Sequence, residues 1–389
     1  MNERQITPSL FATGVADTTL DLFEGQYRVP NGITYNSYFL SDEKTVLFDT
    51  ADRRVAAEWL AGVEQTAGGR GIDYLVVSHM EPDHSAAIRL LADRYPAMRI
   101  VGNAKTFQMM RAFFGRDFGD RAVVVGEGDA LETGAHTIRF YMAPMVHWPE
   151  VMVSFDERDG VLFSADAFGR FGLPGDAGDW ADEARRYYIN IVGKYGSSVQ
   201  TLLKKLSGLP VKTICPLHGP VLTGDLSAYL EKYDVWSSYR PEERGVLIAY
   251  TSIYGNTASA ALRLRDMLAR RGEKRVAVVD LARGDISRAV ADAFRYDALV
   301  LAASSYDGGV FPPMAAFLSR LKAKNWQKRT AAVIENGSWA PSAGKTMLAA
   351  LAEMKEIALP APTVTIRSTV SQETVEALNT LADALAARG

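Results

Sequence analysis

The chain has 389 residues, of which 48% are hydrophobic, so it is long enough for two or three domains with separate cores. Its formal net charge of −3 and its scattered Lys and Arg residues give no reason to expect nucleic acid or an anionic membrane as a partner. The polar start of the chain and the lack of an apolar run of about 20 residues predict neither a signal peptide nor a membrane helix. The single cysteine, Cys215, excludes an intramolecular disulfide and fits a reducing cytoplasm.

Short strands dominate the first part of the chain and helices interrupt them, which predicts a layered sheet assembly. The predicted strands, taken from apolar runs and alternating patterns, are 34–40, 45–49, 72–77, 98–102, 121–125, 137–143, 150–155, 160–165 and 212–215. The predicted helices are 53–66, 85–94 and about 180–206. Ser85 is the expected N-cap of the second of these helices.

A polar stretch at 237–245 (Ser-Ser-Tyr-Arg-Pro-Glu-Glu-Arg-Gly) separates this part from a regular alternation of strands and helices. The strands are predicted at 246–250, 276–281, 297–303, 330–335 and 362–367, and the helices at 257–271, 286–294, 313–323, 343–356 and 372–387. Five βα units of this size predict a doubly wound, five-stranded parallel sheet. We therefore place a domain boundary near 238–245 and predict domains at 1–240 and 245–389.

The loop Ser78-His79-Met80-Glu81-Pro82-Asp83-His84-Ser85 follows the buried strand 72–77 and carries two imidazoles and two carboxylates. Imidazole and carboxylate without a nearby thiolate suit iron, manganese or zinc. The alternative is a polar loop with chance histidines. The metal interpretation is favoured because the chain has only five histidines and two of them are in this loop.

Three further residues extend this set, and each lies at or just past the end of a predicted strand. They are His147, Asp166 and His218. Loops at one edge of a sheet can converge, so we expect these side chains to meet the loop 78–85. The seven candidate ligands are His79, Glu81, Asp83, His84, His147, Asp166 and His218.

Seven ligands are too many for one tetrahedral zinc, and they suit two metals with one bridging carboxylate. Asp166 is the natural bridge, because it lies between the two outer histidines in sequence; the alternative for a lone Asp at a strand end is a turn or cap residue. The fifth histidine, His136, has no acidic neighbour in sequence and is interpreted as a surface residue.

The pattern His-x-Glu-x-Asp-His, followed by His147, Asp166 and His218, resembles the diiron centre of flavodiiron proteins, or A-type flavoproteins. The resemblance implies a metallo-β-lactamase-like αββα sandwich. It also implies that one iron binds His79, Glu81 and His147, the other binds Asp83, His84 and His218, and Asp166 bridges them. Hydrolases of that fold typically have His where this chain has Glu81, and a carboxylate there favours iron over zinc.

The segment that opens the second domain, Gly245 to Thr257, runs from a strand to a helix through a hydroxyl-rich loop without lysine. Hydroxyls and amides at a helix N-terminus form a phosphate site that differs from the Walker pattern. The loop resembles the FMN phosphate loop of flavodoxins, and two further loops leave neighbouring strand ends, where such sheets bind ligands. The candidate FMN-binding residues are Thr251, Ser252, Ile253, Tyr254, Gly255, Asn256, Thr257, Ser304, Ser305, Tyr306, Asp307, Gly308, Gly309, Asn336, Gly337, Ser338 and Trp339.

The fusion of both domains, in the order found in flavodiiron proteins, implies reduction of O2 to water, of NO to N2O, or of both. The alternatives are a dinuclear metal hydrolase with a regulatory flavodoxin domain, and a redox carrier or gas sensor without turnover. The chain has no Cys-x-x-Cys pair, so a separate electron donor is expected: rubredoxin, another reductase or reduced deazaflavin. The resemblance also implies a head-to-tail homodimer or a dimer of dimers.

Overall fold

The computed structural model describes residues 5–176 and 178–388, and in it the chain forms two compact units. The first unit comprises the chain up to Tyr188 together with Ser197–Asp234. The second comprises Ile189–Gly196 and the chain from Val235 onward. The domain limits 1–240 and 245–389 stay a prediction about where each functional domain begins and ends. The polar residues 1–4, from which we expect no signal peptide, lie outside the described residues.

Two six-stranded sheets form the first unit, with strand orders β1-β6-β7-β8-β9-β10 and β11-β12-β13-β14-β15-β16. Two short ribbons, β2-β5 and β3-β4, accompany them. The strands are β1 Leu10–Ala12, β2 Val15–Asp17, β3 Leu22–Phe23, β4 Tyr27–Arg28, β5 Ile33–Tyr35, β6 Tyr38–Leu40, β7 Val46–Phe48, β8 Tyr74–Val76, β9 Arg99–Gly102, β10 Ala122–Val124, β11 Ala130–Glu132, β12 Thr137–Met142, β13 Met152–Asp156, β14 Val161–Phe163, β15 Thr213–Cys215 and β16 Leu222–Thr223.

The two sheets pack face to face through one apolar core. The ring of Phe48 on β7 stacks on the ring of Phe163 on β14, with ring centroids 3.7 Å apart. Val76 and Val101 from the first sheet join the same cluster as Ile138 from the second. Strands β6, β7, β13 and β14 are buried along their whole length, as expected when both faces of a sheet are covered. These layers confirm the predicted metallo-β-lactamase-like αββα sandwich.

Seven helices of the described chain accompany these strands: α1 Ala56–Ala67, α2 Pro82–Ser85, α3 Ile88–Arg94, α4 Ala104–Phe114, α5 Trp180–Ile191, α6 Gly196–Leu206 and α7 Ser227–Ser237. Two predicted details were wrong. The helix predicted over 85–94 is two short helices, and the Ser85 hydroxyl donates to the Met80 carbonyl at 2.8 Å instead of capping a helix. The helical patterns predicted over about 180–206 form two helices, α5 and α6, separated by a 3-10 turn at Gly193–Tyr195 that was not predicted.

The second unit is a parallel sheet with strand order β18-β17-β19-β21, in which β22 and β23 both pair with β21 at the far edge. This is the doubly wound order of flavodoxin-like folds, and it confirms the predicted class. Its elements are β17 Glu243–Tyr250, α8 Asn256–Arg270, β18 Val276–Asp280, α9 Ile286–Arg295, β19 Tyr296–Tyr306, β20 Gly309–Val310, α10 Pro312–Ala323, β21 Arg329–Asn336, α11 Ala343–Ala352, β22 Ile357–Ala358, β23 Val364–Ile366 and α12 Gln372–Ala386.

This sheet has seven strands where the sequence predicted five. The two unpredicted strands are each two residues long: β20 folds back antiparallel on β19, and β22 occupies part of the fifth position ahead of β23. Such short pairings leave no periodic signal in a sequence. The five parallel positions remain as predicted, so the loops after β17, β19, β21 and β23 leave the same edge.

Among the described residues, no helix is both long and apolar enough to cross a membrane.

Candidate functional site

The loop 78–85 in the first unit is held by residues that follow the neighbouring strand β7. The buried carboxylate of Asp49 accepts hydrogen bonds from the backbone N–H groups of Ser78 and His79, at 2.7 and 3.3 Å. The backbone N–H and the hydroxyl of Thr50 both donate to the His84 carbonyl, at 2.9 and 2.7 Å. Pro82 begins helix α2, so His79 and Glu81 precede the helix while Asp83 and His84 lie in its first turn.

One group of side chains, the His79 pocket, consists of His79, Glu81 and His147 with Oδ2 of Asp166. Nε2 of His79 lies 3.3 Å from Oε2 of Glu81 and 3.4 Å from Oδ2 of Asp166. Nε2 of His147 lies 3.1 Å from each of the same two oxygens. Two imidazole nitrogens and two carboxylate oxygens therefore surround one point.

A second group, the His218 pocket, consists of Asp83, His84 and His218 with Oδ1 of Asp166. Nε2 of His84 lies 3.1 Å from Nε2 of His218 and 3.2 Å from Oδ1 of Asp166. Oδ2 of Asp83 lies 3.3 Å from both imidazole nitrogens. The two oxygens of Asp166 thus face different pockets, and the structure brings all seven predicted ligands together.

The spacing of these atoms fits metal coordination. Two ligands bound at about 2.1 Å to one ion and separated by about 90–110° lie about 3.0–3.4 Å from each other. In the described chain, both oxygens of Asp83 and Oδ1 of Asp166 are buried and accept no hydrogen bond. Buried carboxylate oxygens without a donor are costly, and cations in the two pockets would satisfy them.

The charges of the site act strongly on each other. Burial by itself would lower the pKa of His79, but the carboxylates of Asp166, Glu150 and Glu81 raise that pKa well above its usual value. Burial would also lower the pKa of His147, but its contacts with the carboxylates of Asp166 and Glu81 raise that pKa to about 9. At Asp166, burial would raise the pKa, yet the surrounding histidines hold it well below its usual range. Without a metal, His79 and His147 therefore retain their protons at neutral pH.

Two buried residues near the site were not found from the sequence. The carboxylate of Glu150 lies 2.8 Å from Nδ1 of His79. The hydroxyl of Tyr187 is buried without a hydrogen-bond partner in the described chain, and its ring centroid lies 5.4 Å from that of His218. Tyr187 belongs to helix α5, far from the other site residues in sequence. The only sequence signal for Glu150 was its position three residues after His147.

The interpretation of His136 as a surface residue was wrong. His136 is buried, and its Nδ1 lies 2.9 Å from Oδ2 of Asp156 on the neighbouring strand β13. Its Nε2 lies 3.0 Å from the hydroxyl of Ser9. An acidic partner 20 residues away in sequence could not be recognised without the register of β12 and β13.

A small cavity leads to the candidate metal centre. It has a volume of about 180 Å³, and besides the ligand candidates Glu81 and Asp83 it has a mixed lining of apolar and charged side chains: Leu20, Leu22, Phe23, Tyr35, Pro82, Glu24, Asp52 and Arg54. The side chain of Glu81 keeps 13% of its surface exposed, whereas those of the four pocket histidines keep at most 6%. A small molecule therefore has a route to the His79 pocket beside Glu81.

The second unit contains a larger cavity of about 710 Å³ at the carboxyl edge of its sheet. It is lined by most of the candidate cofactor-binding residues: Ser252, Ile253, Tyr254, Asn256, Thr257, Ser304, Ser305, Tyr306, Asp307, Gly308, Asn336, Gly337, Ser338 and Trp339. Thr251, Gly255 and Gly309, also predicted, do not line it. Ala340, Ser342 and Ser368 line it without having been predicted; Ser368 follows β23, as the strand-end argument would have allowed.

The polar groups of this cavity suit an anion and an aromatic ring. Helix α8 begins after Gly255, at φ 92°, without a side-chain cap, so its first N–H groups face the loop. The Thr251 hydroxyl beneath them is buried and has no hydrogen-bond partner among the described residues. Tyr254 and Trp339 are 92% and 89% exposed at the cavity. None of the residues that line it within the described chain is Lys or Arg.

Comparisons with known proteins agree with both units. The family model described as "ODP family beta lactamase" matches residues 33–219. The chain is 28% identical to a nitric oxide reductase from Moorella thermoacetica over 376 residues, covering 92% of each protein. It superposes on rubredoxin oxygen:oxidoreductase from Desulfovibrio gigas with a TM-score of 0.91, at 27% identity, covering 98% of this chain and 97% of the other. A variant of the flavo di-iron protein from Thermotoga maritima gives a TM-score of 0.87 at 25% identity, covering 97% and 95%.

The fold and the two cavities define a protein in which a β-lactamase-like unit with a paired histidine–carboxylate site precedes a flavodoxin-like unit. In both units and in their order, the chain is similar to flavodiiron proteins over nearly its whole length.

The electrostatics predict how metal binding depends on pH. Because His147 has a pKa of about 9 in the metal-free chain, its proton must leave before the ring can coordinate an ion. We expect the affinity of the metal-free protein for Co²⁺ to rise from pH 6 to pH 9, by about tenfold per pH unit for each proton displaced. Titration followed by cobalt absorbance, with an indicator dye to count protons, checks this. An affinity that stays constant over this range would contradict it.

Proposed function

We propose that the chain is an oxidoreductase that reduces O2 to water, NO to N2O, or both, at a pair of irons supplied with electrons by FMN. The observation that carries the proposal is the Asp166 carboxylate, whose two oxygens face two separate pockets of histidine and carboxylate. The similar proteins named nitric oxide reductase and rubredoxin oxygen:oxidoreductase support both reactions.

The residues of each pocket favour iron. His79, Glu81 and His147 would hold one iron, Asp83, His84 and His218 would hold the other, and Asp166 would bridge them. Three carboxylates and four imidazoles form a harder, more anionic donor set than the histidine-rich sites typical of zinc hydrolases. The distance of 3.2 Å between His84 Nε2 and Asp166 Oδ1 supports His84 as a direct ligand.

The cavity of the second unit would hold FMN. The N–H groups at the start of α8, the Thr251 hydroxyl and the side chains of Ser252 and Thr257 would bind the phosphate, and Tyr254, Tyr306 and Trp339 would flank the ring. Two ferrous ions and a reduced FMN together supply the four electrons that O2 needs, and the ferrous pair alone supplies the two that reduce two NO molecules.

The protein's own residues control access and charge at the reacting site. The cavity of about 180 Å³ is large enough for a diatomic gas, and the exposed side of Glu81 marks where the gas would reach the metals. Trp148 packs edge-on against His79, with ring centroids 5.2 Å apart, and limits the room on that side. Phe168 and Phe171 are also buried in this unit and, with Trp148, are our candidates for discriminating O2 from NO.

A dinuclear hydrolase remains the rival function, since the same fold can activate water between two metals. Glu81 argues against it, because a third carboxylate lowers the Lewis acidity that hydrolysis requires. The relatives reported above are oxidoreductases by name, which also favours the redox function.

A separate protein or coenzyme would reduce the FMN, because the chain lacks a rubredoxin-type Cys-x-x-Cys pair. A rubredoxin, another reductase or a reduced deazaflavin would serve. We infer a cytoplasmic location, since a chain with a single, buried cysteine has no disulfide to maintain.

We further propose a head-to-tail homodimer or a dimer of dimers as the active form. Tyr254 and Trp339 expose large aromatic surfaces at the FMN cavity, and Leu22 is 37% exposed at the metal cavity. Exposed apolar groups around two functional cavities are typical of surfaces that a partner covers. A two-fold dimer would cover both kinds of surface at once, bringing the FMN of one chain to the metals of its partner.

The Asp166→Ala substitution tests the metal centre. It should reduce anaerobic turnover of O2 and NO by at least about 100-fold and lower the iron content, because both pockets lose a shared ligand. FMN should stay bound, since its site lies in the other unit. Gas consumption, iron and flavin are measured on one preparation, with the exposed Asp93→Ala variant as the control. Full activity and iron content in Asp166→Ala would contradict the bridging role.

Mixing two inactive chains tests the dimer. One chain carries Asp166→Ala and keeps its FMN; the other carries Thr251→Val with Thr257→Asp, which sets a carboxylate against the phosphate, and keeps its iron. If electrons pass between chains, co-refolded mixtures should recover about a quarter of the wild-type turnover, since about half of the dimers are mixed and each has one complete pair of centres. No recovery, although tagged chains co-purify as mixed dimers, would rule out transfer between chains.

A further inference from the structure

The two pockets offer their metals the same set of direct ligands. Each supplies two imidazoles, one carboxylate of its own and one oxygen of Asp166. A marked difference between the two metals is therefore expected to come from the groups that contact the ligands from behind.

The His79 pocket has a charged group in that position. Oε1 of Glu150 lies 2.8 Å from Nδ1 of His79, and both side chains are fully buried. The same oxygen accepts the backbone N–H of Met80 at 2.8 Å, which keeps the carboxylate in place. The backbone carbonyl of Glu150 in turn accepts the side-chain N–H of Asn103 at 2.5 Å. Nε2 of His79 is thereby directed into the pocket.

The His218 pocket has only neutral groups in the corresponding places. Nδ1 of His218 donates to the backbone carbonyl of Thr34 at 2.6 Å. Nδ1 of His84 is buried and contacts no hydrogen-bond acceptor among the described residues. The asymmetry therefore lies in the hydrogen bonds to the imidazoles: Glu150 is bonded to Nδ1 of His79, whereas the other buried carboxylate nearby, Asp49, accepts backbone N–H groups and interacts with His84 only through its charge.

We propose that Glu150 is a positioning residue that makes the metal of the His79 pocket the first of the two to be oxidised. A carboxylate that accepts the Nδ1–H of an imidazole makes Nε2 a stronger donor, and its charge stabilises the higher oxidation state of a nearby ion. If the two pockets hold ferrous ions, a one-electron oxidant would take its first electron from the ion in the His79 pocket and its second from the ion in the His218 pocket. The inference rests on the proposed diiron function.

The Glu150→Gln substitution isolates the charge. The amide oxygen can still accept the N–H groups of His79 and Met80, so the geometry is retained while the negative charge is removed. We expect the first oxidation potential to rise by about 59 mV for each tenfold loss of ferric stabilisation, and a loss of about 10–100-fold. The second potential should stay nearly unchanged. Anaerobic spectroelectrochemical titration, with electron paramagnetic resonance of the half-oxidised state, measures both.

Two further variants make the result specific. Glu127→Gln is the control. The Glu127 carboxylate accepts the backbone N–H of Met142 at 2.9 Å but contacts no pocket histidine. This substitution should leave both potentials unchanged. Glu150→Asp keeps the charge on a shorter side chain, so its first potential should lie between those of the wild type and Glu150→Gln. It also serves as the informative variant if Glu150→Gln does not fold.

The possible outcomes distinguish a failure of the proposed role of Glu150 from a failure of the proposed diiron function. A first potential that is the same in Glu150→Gln and Glu150→Asp as in the wild type, with two irons bound, would overturn the role of Glu150. A shift confined to the second potential would overturn it as well, because the order of oxidation would be reversed. A wild-type protein that binds no iron would instead refute the diiron function itself.

Discussion

The buried carboxylate of Asp166 is the group on which the candidate site depends. Its two oxygens contact four imidazole nitrogens, at 3.1–3.7 Å, that come from three different loops of the first unit. Ala165, directly before it, adopts φ 50°, a left-handed conformation that non-glycine residues rarely take and that the surrounding structure must hold. Burying so many charged groups is unfavourable without cations, so the site is organised for metal binding at some cost in the stability of the metal-free chain.

Much of the site could be predicted from the sequence because ligand chemistry and strand ends are local signals. His79, Glu81, Asp83 and His84 stand within six residues, and His147, Asp166 and His218 each follow a strand. Two buried histidine–carboxylate contacts could not be predicted in this way. The contact of Glu150 with His79 spans 71 residues, and the pairing of His136 with Asp156 depends on strand register. Contacts of this kind exist only once the sheets have formed.

In the flavodoxin-like unit, too, local signals could be recognised in the sequence and long-range contacts could not. The hydroxyl-rich loop before α8 and the loops after β19 and β21 were recognisable because each follows a strong strand signal. Ser342 lines the cavity through long-range contacts: its hydroxyl donates to the Gly309 carbonyl, while its backbone N–H donates to the Ser305 hydroxyl. Strand β22, only two residues long, is equally invisible in the sequence. Local chemistry thus predicts the type of ligand, and tertiary contacts decide the detailed lining.

The central claim is that one chain combines a two-iron centre with a flavin. The most direct measurement is the metal and flavin content of protein produced with sufficient iron and without added zinc, by elemental analysis and by extraction of the flavin. The account predicts two iron atoms and one FMN per chain, because seven ligands surround two positions and one cavity suits the flavin. Stoichiometric zinc without iron, or a protein that binds no flavin, would contradict it.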